Sequence, residues 1–197
     1  MTEDRAAVEA QIRNAAEAAN WSSAATAAIG GYGDEILGYL VAMTRNEADA
    51  GDAFSVFAEN VWKDLPKFRW ESTFRTWAYG VARNALAKLR RDPYRRRAVP
   101  LDDAGFEGLV AEVRSRTSTF LRTETRDKIA KLRAELEPDD QSLLILRINR
   151  GLAWRDIAQI MAESDDATPE AVDKLAAALR KRFERLKAEL RVKAAKA

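Results

Sequence analysis

Lys67 to Tyr79 read Lys-Phe-Arg-Trp-Glu-Ser-Thr-Phe-Arg-Thr-Trp-Ala-Tyr, rings and cations in close alternation. Such a mixture suits unpaired nucleic acid, because cations hold phosphates and flat rings offer stacking surfaces to bases that have left a duplex. Phe74 and Trp77 are three residues apart, the spacing of one helix face, and read as core. Phe68 and Trp70 fall in the turn before that helix, where the pattern leaves burial and exposure both open. Further on, Lys88-Leu89-Arg90-Arg91-Asp92-Pro93-Tyr94-Arg95-Arg96-Arg97 suits a polyanion. Lys174, Arg180, Lys181 and Arg182 give the last helix a basic face.

The formal net charge of +2 hides this division. Residues 67–97 carry ten basic side chains against two acidic ones, a net +8. Residues 171–197 carry nine against three, a net +6, whereas residues 46–64 carry five acidic against one basic, a net −4. Like charges repel, so two basic blocks imply a polyanion touched at two places. The acidic block places Asp49, Asp52 and Glu59 near one side of a helix, a face for water or for a protein partner bearing a basic helix.

Other chemistry is narrowed by composition. With no Cys and no His there is no disulfide, no thiolate or imidazole metal site and no His-based acid–base pair. The expectation is a binding protein rather than an enzyme, with no catalytic residues, no metal and no cofactor. At 47% hydrophobic and 32% charged residues, the 197-residue chain has the composition of a folded protein with a charged surface. No apolar run reaches the roughly 18 residues that span a bilayer, and Met1–Ala10 lacks a basic leader before an apolar core. A soluble, cytoplasmic protein without membrane insertion is expected.

The elements that must position these groups are helices throughout. Residues 3–20, Ala-rich with few large apolar groups, read as a loosely held arm within 1–29. Gly30, Gly31 and Gly33 read as punctuation before a helix at 34–45. A second helix at 48–65 carries Phe54, Phe57, Val61 and Trp62 at helical spacing and stops at Pro66. A third, at 71–91, takes Ser72 as N-cap and buries Phe74, Trp77, Ala78, Val81, Ala85 and Leu89. Residues 93–123, with Pro93, Pro100, Gly105 and Gly108, read as a flexible linker, extended in part. Beyond it, helices at 140–150 and 154–161 and a last one from Pro169, capped by Thr168, form a helix-turn-helix with its support helix over 124–197. The fold class is all-α: two small helical domains, 30–92 and 124–197, joined by the linker.

The run Phe68-Arg69-x-Glu71-Ser72-Thr73-Phe74-Arg75-Thr76-Trp77-x-Tyr79-x-x-Ala82-Arg83-Asn84 resembles the first conserved domain of bacterial extracytoplasmic-function (ECF) sigma factors of the sigma-70 family. Leu136-Glu137-Pro138, Leu143–Arg147, Gly151-Leu152-Ala153-Trp154, Ile157-Ala158 and Arg180-Lys181-Arg182 are similar to the second. The likeness covers about 30–95 and 125–190. It implies a factor that directs bacterial RNA polymerase core to promoters and melts them. The acidic helix, through Asp49, Asp52, Ser55 and Glu59, would dock on the clamp helices of the polymerase's largest subunit. Lys67, Phe68, Arg69, Trp70, Ser72, Thr73, Arg75, Arg83, Asn84 and Lys88 would hold the −10 element. Thr168, Lys174, Arg180 and Lys181 would meet the −35 element in the major groove. The linker would thread near the polymerase active-site channel, and an anti-sigma factor would be a further partner.

Three departures from that pattern stand out. Ser55-Val56 replaces a pair that usually ends in Glu; a phosphate on Ser55 would restore about −1.5 to −2 of charge. The turn from Met161 to Val172 is longer than usual, and Asp173, Leu175 and Ala177 stand where Arg and Ser are common. Two rival readings stand beside it: a helix-turn-helix regulator that binds duplex DNA without polymerase, which has no use for the aromatic-basic turn, and a pure interaction protein that has kept the helical shell.

Overall fold

The computed structural model describes residues 2–91, 103–126, 131, 133, 135–162 and 167–194. It falls into two compact units, Met1–Arg122 and Thr123–Ala197. Among the described residues all regular structure is helical.

The first unit holds α1 (Thr2–Glu17), α2 (Trp21–Thr44), α3 (Glu47–Asp64), α4 (Phe74–Arg91) and α5 (Ala104–Arg114), with a tight turn at Leu65–Lys67. The start of α6 (Thr117–Arg126) belongs to it as well. The expected break at Gly30–Gly33 is absent: α2 runs straight through those glycines. Their role is close packing. A Cβ on Gly31 would collide with Val8 of α1, and one on Gly33 would lie 3.2 Å from both methyls of Val113 on α5. Asn20 caps α2, its Oδ1 accepting the Ser23 N–H at 3.1 Å, and Asn46 caps α3 in the same way through Asp49 N–H at 3.0 Å. The core between α2, α3 and α4 is aromatic and aliphatic: Tyr39, Leu40, Phe54, Phe57, Val61, Phe74, Tyr79 and Leu89 are buried. Along α4, Trp77 and Val81 are only half-buried, and Tyr79, Ala82 and Leu86 fill the core positions instead.

Two segments differ from expectation. The arm is a helix packed on α2, with Ile12 fully buried. The linker, described from Asp103 on, is helical and packed on α2 and α3. Asp103 starts α5: its Oδ1 accepts the N–H groups of Gly105 and Phe106, each at 3.0 Å. Phe106 is buried with its ring 4.8 Å from that of Trp62. Phe106→Ala is expected to cost the first unit about 3–5 kcal/mol through lost burial and the cavity left behind, measured by chemical denaturation.

In the second unit, α7 (Pro138–Leu144) continues through a wide turn at Ile145–Asn149. Gly151, at φ +66°, ends it in the left-handed conformation glycine accepts most readily. Then come α8 (Trp154–Met161) and α9 (Pro169–Ala194), packed on each other, with Trp154 edge-on to Phe183 at 5.3 Å. Leu143, Leu144, Leu146, Ile157, Ala158, Val172, Leu179 and Phe183 form its core. Arg182 of α9 is bonded to Asp140 of α7, a tie within this unit.

Candidate nucleic-acid and partner interfaces

The aromatic turn is built around Phe74, which is fully buried at the start of α4. Phe68 leans over it with ring centroids 6.3 Å apart, stacks on Trp77 at 5.0 Å and touches Trp70 at 4.7 Å. Phe68, Trp70 and Trp77 are all half-buried, so the turn presents a ring patch seated on the core. Trp70 has φ 58°, a left-handed backbone that is costly for a bulky side chain and persists only where neighbours over-determine it. Its neighbours here are Phe68 and the guanidinium of Arg13, 4.8 Å from the ring centroid. Lys67 and Arg69 flank the patch in water, bridged to Asp64 at 2.7 Å and Glu71 at 3.2 Å.

The N-terminus of α4 is capped by Thr73 rather than Ser72: Thr73 Oγ1 accepts the Thr76 N–H at 3.1 Å, while Ser72 Oγ donates to the Thr73 carbonyl. The N–H groups of Phe74 and Arg75 are met from α1, by the Glu9 carboxylate at 2.8 and 2.9 Å. Glu9 also accepts the Tyr32 hydroxyl at 2.9 Å. Burial, then the Glu9 bond, raise the Tyr32 pKa above its ordinary value. Every donor in the first turn of α4 is thus satisfied.

Arg75, expected as a nucleic-acid contact, stands in an ion pair within the fold. It is mostly buried, its guanidinium bonded to Glu35 of α2 with Nε at 2.8 Å, and the Tyr79 hydroxyl donates to the same carboxylate at 2.8 Å. Burial pushes the Glu35 carboxyl up, but the bond and charge of Arg75, the Tyr79 hydroxyl and the charge of Arg5 outweigh it and hold the pKa below 4.5. The folded state therefore binds this proton less tightly than the unfolded chain. Stability from this pair is fully present above about pH 4.5 and is lost as the pH falls below it. Thermal unfolding followed by circular dichroism should show that loss, and Glu35→Gln should flatten it.

Asn84 and Lys88 are exposed on α4, seven and eleven residues beyond Trp77, and Arg91 follows at fourteen. These spacings put all four on one helix face, so a polar and cationic row leads away from the ring patch. Arg83 is half-buried beside it. Arg90 is tied to the Met43 carbonyl at 3.1 Å. Arg95–Arg97 lie outside the described residues.

On α3, Asp49 and Asp52 are half-buried and Glu59 is bridged to Lys63. Ser55 Oγ donates back to the Gly51 carbonyl at 3.0 Å. Asp52 is met by Arg114 of α5 at 3.1 Å.

In the second unit Thr168 accepts the Ala171 N–H at 3.3 Å, the cap its sequence implies. Lys174, Arg180 and Lys181 are exposed on α9, and Lys174, Lys181 and Arg185 share a face by their spacing. Asp173 pairs with Arg155 at 3.6 Å. The long turn at residues 163–166 lies outside the described residues.

Sequence reasoning missed Glu9, Arg13 and Glu35, which hold the aromatic turn and the start of α4. Among the described residues no group of acidic side chains is arranged to hold a metal, and no helix is long and apolar enough to cross a membrane.

Comparison with known proteins places part of the first unit in a known family. Residues 29–97 match the family model for sigma-70 region 2, which spans the aromatic turn, α3 and α4. The chain is similar to the RNA polymerase sigma-H factor of Pseudomonas aeruginosa, 30% identical over 138 residues that make up 66% of this chain and 70% of that protein. It is also similar to the RNA polymerase sigma factor YlaC of Bacillus subtilis, 28% identical over 134 residues, 68% of this chain and 76% of that one. No solved structure matches it. With region 2 matched over the ring patch and a 30% identical relative covered across more than two thirds of its length, the chain belongs to the sigma-70 family of RNA polymerase sigma factors, as a member of ECF type.

Proposed function

We propose that the chain, acting in the bacterial cytoplasm, directs RNA polymerase core to promoters through three of its own surfaces. The acidic side of α3, with Asp49, Asp52 and Glu59, docks on the clamp helices of the polymerase's largest subunit. The ring patch of Phe68, Trp70 and Trp77, flanked by Lys67 and Arg69 and continued by Asn84 and Lys88, takes the −10 element as an unpaired strand. The exposed cations of α9, Lys174, Arg180 and Lys181, hold phosphates at the −35 element. The mechanism is binding: phosphate attraction brings the basic faces to DNA, and stacking on the rings stabilises bases that have left the duplex.

The observation that carries this reading is the half-buried ring patch joined to a cationic helix row. A regulator of duplex DNA alone reads base edges in a groove and has no need of it. Run-off transcription tests the proposal. Purified bacterial core enzyme with this chain is expected to start transcripts at defined positions on genomic fragments. Transcripts identical with and without the chain would reject it.

A further inference from the structure

Acidic α3 does not face water along its whole length. Helix α5 lies across α2 and α3, and it is bolted at both ends. At its start Asp103 Oδ2 accepts the Ser22 hydroxyl at 2.6 Å and Phe106 is buried against Trp62. At its end Val113 is buried in the space Gly33 leaves open, and Arg116 grips both oxygens of Asp34 at 2.8 and 2.7 Å. Between these anchors Arg114 reaches Asp52, and its Nε lies 2.8 Å from where a Cβ on Gly51 would stand. The Asp52 side chain is left 17% exposed. Arg114 of this helix and Arg116 just past its end thus meet carboxylates on α3 and α2 as a basic helix from another protein would.

We infer that α5 is the resident occupant of the surface through which α3 meets the polymerase, and that core enzyme and α5 compete for it. The inference rests on the docking role proposed for α3. Arg114 and the body of α5 already fill the space over Asp52 and Gly51, so a partner helix that takes that place must first displace Arg114. That exchange is easy at its polar centre: the Arg114 side chain is 45% exposed, and pairs this wet hold weakly. The barrier lies in the apolar anchors, Phe106 and Val113. The surface accordingly fits a partner helix that presents a cation to Asp52 and takes up the place of α5 beside Gly51.

The chain has no cysteine of its own, so a single engineered pair can pin the helix. A Cβ at position 33 would lie 3.2 Å from the Val113 methyls, close enough for Gly33→Cys with Val113→Cys to form a disulfide. The readout is the affinity of the full-length chain for purified bacterial core enzyme, by anisotropy of a fluorophore on the chain. The oxidised pair is expected to bind about tenfold more weakly than the same protein reduced with dithiothreitol, a tenfold loss corresponding to about 1.4 kcal/mol. Arg114→Ala, which removes only the competing cation, is expected to tighten binding roughly two- to fivefold, the range of an exposed pair. Asp52→Lys separates the two ideas. If Asp52→Lys weakens binding while the oxidised and reduced pairs bind alike, or Arg114→Ala binds no tighter, competition is wrong and the docking role stands. If Asp52→Lys binds like the unaltered chain, the docking role itself fails and the inference goes with it.

Discussion

Replacing Trp70 with alanine is expected to reduce promoter opening by roughly five- to 150-fold, the equivalent of one lost base stack at about 1–3 kcal/mol. Capture of the closed duplex should hardly change. The contrast follows from where the ring sits. Trp70 is in the turn, half-buried, supported by Phe68 at 4.7 Å and by Arg13 at 4.8 Å, and is not among the fully buried core residues. Phe74, by contrast, is fully buried, and its loss would damage the fold before it touched DNA. Arg69→Ala should act in the same direction as Trp70→Ala but more weakly, because an exposed cation contributes to phosphate attraction at a position that salt screens. Opening is read by permanganate reactivity of −10 thymines and closed binding by gel shift. An equal loss in both assays would show that the turn holds DNA without sorting strands from duplex.

Arg75→Ala is expected to destabilise the first unit by about 3 kcal/mol or more, an effect on folding and not on DNA contact. Removing one member of a buried ion pair leaves the other charge without compensation, which is the costly half of the exchange. Here the stranded group is Glu35, whose remaining partners are the Tyr79 hydroxyl and the distant, wetter Arg5 at 3.5 Å. Urea denaturation of the variant should show a lower midpoint, and the double variant Arg75→Met with Glu35→Leu should recover much of the loss. If Arg75→Ala kept full stability but lost promoter opening, the residue would belong with the DNA contacts after all. The same logic separates Arg182, tied to Asp140, from Lys174 and Lys181, which stand in solvent.

Much of this was legible from residue spacing. The helices α3, α4, α8 and α9 follow apolar repeats of three and four, and the ring-and-cation turn declares itself in a single stretch of sequence. What stayed hidden has physical causes. Gly30, Gly31 and Gly33 looked like breaks because glycine weakens a helix. They lie inside α2, where Gly31 and Gly33 let α1 and α5 come close. The segment 104–114 does carry a helical stripe, Phe106, Leu109, Val110 and Val113, with Asp103 as its cap, but Gly105 and Gly108 masked it. The arm offers little beyond Val8 and Ile12 as apolar anchors, and Val8 seats where Gly31 of α2 leaves room. Arg75 and Arg69 look alike in sequence. Only the fold shows that one faces Glu35 across α2 while the other faces water, because the partner lies forty residues away.

The proposed capture of a separated strand by the ring patch after Pro66 requires the chain to be joined to polymerase. Permanganate footprinting of a promoter from which the reconstituted holoenzyme initiates tests it most directly. The prediction is that −10 thymines become reactive only when core enzyme and this chain are both present, and that Phe68→Ala with Trp70→Ala abolishes the reactivity while gel-shift binding of the closed duplex persists. Thymines that open as readily with the doubly substituted chain as with the unaltered one would show that the rings do not capture the strand.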